Sequence, residues 1–171
     1  FKIISLANAF WLTSKAIDDL LGGVEKRGFY ITYTNTLENN NGVHIGYDPS
    51  IHTRSVISSV DVQFQHDGSA YVMYEVLIGY KDDFRSKKFP KLVERLKKAI
   101  EKSEEYIEGL EYELYWCNED SEDFEVSIDV LSEDQLGFII EVYVDDWHCI
   151  PSFKQIEDLA QGIIKRARLT Y

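Results

Sequence analysis

Apolar residues recur along this chain with two different periods. Between Thr13 and Arg27, Ala16, Ile17, Leu20, Leu21 and Val24 share one face of a predicted helix, with Asp18 and Asp19 in its first turn and Gly28 after it. The period then shortens to two. Aromatic and β-branched residues alternate with polar ones at Phe29 to Thr34, Val43 to Tyr47, Val56 to Gln65 and Ala70 to Tyr80, which predicts four strands. Asn39-Asn40-Asn41-Gly42 and Asp67-Gly68 supply the turn chemistry of an antiparallel meander.

Helical spacing returns after Pro90, where Leu92, Leu96, Ile100 and Ile107 predict one helix running up to Gly109. Three further strands are expected at Glu111 to Cys117, Phe124 to Val130 and Phe138 to Asp145. A last helix begins at Pro151-Ser152, where Ser152 and Gln155 have the spacing of a capping box, and its apolar face is Ile156, Leu159, Ala160, Ile163, Ile164 and Ala167. The predicted order is therefore α-ββββ-α-βββ-α. It describes an α+β fold, mainly antiparallel, with residues 1–171 as a single domain and no Pro/Ser-rich linker to divide it. A loose duplication is also visible, since Gly28-Phe29-Tyr30-Ile31 and Gly109-Leu110-Glu111-Tyr112 both read as a helix stop entering an aromatic strand.

Charge changes this picture more than composition does. The net charge is −12, but it is not spread evenly. Phe1 to Lys102 carries 14 Lys/Arg and 12 Asp/Glu, Ser103 to Phe153 carries none and 16, and Lys154 to Tyr171 carries four and two. A stretch of 51 residues without a base departs from the mixed signs of an ordinary surface. Just before it lies a basic run from Lys81 to Lys102, in which Lys87, Lys91, Arg95 and Lys98 fall opposite Leu92, Leu96 and Ile100 on the helix. Two arrangements satisfy this layout: the basic helix neutralises the acidic block, or part of the acidic surface stays open to a partner.

Sorting the last three predicted strands by their period of two gives a core set and an outward set. The acids and tyrosines of the outward set, which also holds Cys117, Ser127 and Ile139, are Glu111, Glu113 and Tyr115; Glu125 and Asp129; Glu141, Tyr143 and Asp145, and the loop adds Glu119, Asp120, Glu122 and Asp123. Paired in order, these strands would set like charges opposite one another, at about 0.2–1 kcal/mol per pair. Such a face suits a cationic protein, which its field steers and its tyrosines anchor. These twelve acids and tyrosines are the expected partner-binding set.

Other chemistries lack a pattern. The loop has neither the alternating ligands nor the central glycine of a calcium hand, and His44, His52, His66 and His148 stand at no zinc spacing with Cys117 and Cys149. There is no nucleophile elbow, Walker loop or GxGxxG, so neither catalysis nor a cofactor is expected. The net charge argues against direct binding of nucleic acid or anionic lipid, and no run of 18 apolar residues suggests a membrane span. Two cysteines are too few for a disulfide scaffold and read as packed thiols of a reducing, cytoplasmic protein. The chain opens on Phe1, which leaves room for residues removed upstream, and Ala7-Asn8-Ala9 has the small-residue form of a cleavage site.

The expected function is an acidic, non-enzymatic inhibitor of the immunity-protein or anti-defence type. It would occlude a basic partner such as a nuclease toxin or a DNA-binding enzyme. In element order alone the chain resembles the type III secretion chaperones, although its strands are more numerous. That resemblance implies a client-binding homodimer, with Leu77 and Ile139 as apolar anchors on otherwise polar faces. A third reading is a small-molecule enzyme or sensor with a tyrosine-lined cavity between sheet and helices.

Overall fold

The computed structural model describes residues 31–36, 42–47, 55–64, 68–117, 124–146 and 149–169. The helix expected at Thr13 to Arg27 and the acidic loop Glu119 to Asp123 lie outside them. Strands β1 (Ile31–Thr36), β2 (Gly42–Tyr47), β3 (Ser59–Phe64) and β4 (Ala70–Tyr80) form the expected meander, and β5 (Phe124–Val130) and β6 (Gln135–Val144) complete one antiparallel sheet. Its order is β1-β2-β3-β4-β6-β5, so β6 lies between β4 and the edge strand β5. Three α-helices are described: α1 (Lys88–Glu101), α2 (Glu104–Cys117) and α3 (Phe153–Arg166). The protein is α+β, and among the described residues no helix is long and apolar enough to cross a membrane.

Alternation decides which face of the sheet is covered. Val60 and Val62 on β3, Val72, Tyr74 and Val76 on β4, and Phe138, Ile140, Val142 and Val144 on β6 are fully or almost fully buried. They share one core with Phe89, Leu92, Leu96 and Ala99 of α1 and with Phe153, Ile156, Ala160 and Ile163 of α3. The capping box at the start of α3 is present: Gln155 N–H donates to Ser152 Oγ at 3.3 Å, and Ser152 N–H donates to Gln155 Oε1 at 2.8 Å. In β6, Gly137 permits close approach, because a Cβ there would run into the Val76 carbonyl oxygen of the neighbouring strand. The β4–β6 register shifts at the same place, between Leu77 and Gly79.

Three expectations fail, the first two in the segment between β4 and β5. The helix predicted to run to Gly109 stops at Glu101 and a new one starts at Glu104. Ser103 is the joint. Fully buried, its hydroxyl donates to the Ala99 carbonyl four residues back at 2.7 Å, a bond that competes with the helix ladder and bends it. Second, Glu111 to Cys117 is not a strand but the end of α2, so only two strands follow the helices. The alternation of Tyr112, Leu114 and Trp116 is short, whereas Ser103, Ile107, Leu110, Leu114 and Cys117 repeat at spacings of four and three, a helical face, and Gly109 is carried within it. The apparent duplication goes with the strand. Third, Cys149 is disulfide-bonded, and Cys117 at the end of α2 is the one other cysteine in the sequence. The reading of Cys149 as a packed thiol is overturned, and the expectation of a reducing compartment loses its support.

Candidate functional site

The face of the sheet turned away from the α1–α3 core carries the carboxylates. Register places them in rows across β3, β4, β6 and β5. Asp61 is opposite Met73, which is opposite Glu141, which is opposite Ser127. In the next row Ser59, Glu75, Ile139 and Asp129 follow one another, and on the other side come Gln63, Tyr71, Tyr143 and Glu125. Every acid of these rows therefore faces an uncharged neighbour. The expected head-on repulsion between strands is absent, because β6 pairs with β4 and β5 in a register that sets Glu75, Glu125 and Asp129 diagonally about Glu141. Diagonal neighbours sit about 7–8 Å apart, beyond the closest and costliest like-charge contact.

Glu125 and Asp129 are exposed, while Glu75 and Glu141 are half-buried. No outward position on β3 to β6 is a lysine or arginine. Tyr71 instead donates its phenolic O–H to the Glu141 carboxylate, and desolvation, that bond and the charges of Glu141 and Glu125 hold the phenol above its usual ionisation range. Near the end of β6, Tyr143 O–H donates to Oδ1 of Asp145, just past the strand, at 2.8 Å.

Helix α2 adds to the same charge. Glu111 has its carboxyl pushed up, first by desolvation and then by the charges of Glu108, one turn back, and Glu125 on β5. A strand position was wrong for Glu111, Glu113 and Tyr115, which all belong to α2, but Glu111 still comes within electrostatic reach of the sheet. The structure thus gathers Glu111, Glu125, Asp129, Glu141, Tyr143 and Asp145. Glu119, Asp120, Glu122 and Asp123 lie outside the described residues.

Sequence reasoning missed Tyr71, Asp61 and Glu75. The period of two along β3 and β4 assigns them to the outward face, but only the β4–β6 pairing brings that face beside Glu141. The basic helix does not cover the array. Lys87, Lys91, Arg95 and Lys98 are exposed. The ion pairs among described residues are Lys81–Asp134 at 4.0 Å and Lys98–Glu94 at 3.4 Å, both at the surface and neither on the array. Also among the described residues, no group of three or more His, Cys, Asp or Glu is placed to hold a metal ion. No protein-family model, curated protein or solved structure matches this chain.

Proposed function

We propose that this chain is an acidic binding protein of the immunity-protein or anti-defence type, which occludes the basic surface of a protein that acts on nucleic acid. The observation that supports this reading is the diagonal array about Glu141, flanked by Tyr71 and Tyr143 and free of lysine and arginine at every outward position of β3 to β6. A surface shaped only by stability gains from mixed signs across strands. An array of one sign raises the association rate of a cationic partner, and the tyrosines supply rigid contact area once it has docked. Inhibition then needs no chemistry from this chain, only coverage.

The test combines capture on the immobilised protein with association kinetics. The captured partner is a basic protein whose association rate falls at least about tenfold as salt rises from about 50 mM to about 500 mM, since screening acts within about 8–10 Å. Glu125→Lys with Glu141→Lys weakens binding while the melting temperature holds. An association rate indifferent to salt, or an unaltered affinity in the doubly reversed variant, refutes the proposal.

A further inference from the structure

The C-terminal ends of α1 and α3 meet, and the arginines there serve each other's helices. Arg95 of α1 donates from Nε to the Ala167 carbonyl at 2.9 Å and from Nη2 to the Arg168 carbonyl. Arg166 of α3 donates from Nη1 to the Lys102 carbonyl at 3.2 Å and to Ser103 Oγ at 2.9 Å, with its guanidinium 4.2 Å above the Tyr106 ring. Between them opens a cleft of about 350 Å³ lined by Arg95, Lys98, Ala99, Lys102, Arg166 and Arg168. Among the described residues no carboxylate lines it.

Structure alone explains only part of this charge. Two helix C-termini present roughly one negative charge together, about half from each, which the two bound arginines already offset. Lys98, Lys102 and Arg168 add like charges to the same small space. Glu94, the surface partner of Lys98, does not line the cleft.

Arg168 is the more telling case. Leu169 N–H donates to the Ile164 carbonyl and Arg168 N–H to the Lys165 carbonyl, the paired bonds of a Schellman ending, and Arg168 holds the left-handed position at φ 55°. Glycine takes that conformation without penalty, whereas arginine holds it against the steric preference of its Cβ. The chain keeps a strained cation where a neutral glycine would fold better, and that cation faces the cleft.

We infer that this cleft binds a compact, multiply charged oxyanion of the phosphate class. The two anchored guanidiniums offer donors in a fixed position, and the lysines supply mobile charge that adapts to the anion's outline. A net charge of −12 repels a long polyanion, so a small ligand fits and a nucleic acid does not. None of the outer-face carboxylates lines the cleft, so this site stands apart from the proposed inhibitory surface.

Inorganic pyrophosphate is the first probe, titrated at constant ionic strength against sodium chloride while the Arg95 and Arg166 side-chain Nε–H signals are followed by NMR. Saturable shifts are expected with pyrophosphate and not with chloride. Glycerol phosphate in a second arm separates a phosphate ester from a diphosphate ligand, the tighter of the two naming the source. Arg168→Gly is expected to weaken pyrophosphate at least about fivefold while keeping or raising the melting temperature, and Lys98→Gln with Lys102→Gln weakens it further. Shifts no larger than those in chloride overturn the inference. So do unchanged affinity in folded Arg168→Gly protein and tighter binding of a short RNA or DNA oligonucleotide than of pyrophosphate.

Discussion

Replacing Tyr74 with phenylalanine should make this protein more stable, contrary to the usual result of altering a fully buried aromatic residue. Tyr74 lies on the core face of β4 between Val60 of β3 and Ile140 of β6, with 0% of its surface exposed. Among the described residues its hydroxyl has no hydrogen-bond partner. An unpaired buried hydroxyl costs about 1–3 kcal/mol, and phenylalanine keeps the ring and loses only the oxygen. Some packing goes with that atom, so a net gain of about 1 kcal/mol is expected, or about 2–4 °C in melting temperature for a chain of this size. Urea unfolding measures it, with an unchanged m-value showing that neither end state has altered.

A second readout follows from pH. Burial pushes the Tyr74 phenol well above its ordinary value, so the folded chain keeps a proton that the unfolded chain releases above about pH 10. The associated stability is complete below that pH and is lost as pH rises, at up to about 1.4 kcal/mol per unit. Tyr74→Phe should remove one proton's worth of this slope and leave the share of Tyr71, whose phenol is also held up. A loss of 1 kcal/mol or more in the variant would refute the reasoning, because the hydroxyl would then have to be hydrogen-bonded in solution.

Gly137→Ala should cost about 2–4 kcal/mol in denaturant melts, because its Cβ collides with the Val76 carbonyl oxygen and lies 2.7 Å from Leu131 Cδ1. A loss under 1 kcal/mol would show that β4 and β6 can part there. Glu111→Gln should stabilise the protein slightly at neutral pH, by no more than a few tenths of a kcal/mol at a group still partly open to solvent. The sign follows from its raised carboxyl: the native-state penalty is absent while the group is protonated and sets in as pH rises, so the gain should vanish near pH 3. Reducing the disulfide at Cys149 should lower stability by about 2–4 kcal/mol. Rapid alkylation of two thiols in the native, unreduced protein would refute the bridge.

Local pattern alone determined much of this molecule. The strands at Val43 to Tyr47, Ala70 to Tyr80 and Phe124 to Val130 follow from alternation, because a strand's two faces are fixed by parity within one segment. The start of α3 follows from Ser152 and Gln155, whose bonds close within four residues. The bias to acidic residues after Lys102 is a property of the chain whatever it folds into.

Pairing was not legible. Strands β5 and β6 are neighbours in sequence, but the place of β6 against β4 depends on a core shared with α1 and α3, and that placement decided that Glu141 lies beside Tyr71 rather than opposite another acid. Ser103 read as an ordinary residue between two turns of helix, and only its burial made its hydroxyl break them. Arg95 counted in sequence as one more exposed cation of a basic stripe. Bonding to carbonyls 72 and 73 residues away, it became the lock between two helix ends, because the partners of a long side chain are chosen by what the fold brings within its reach.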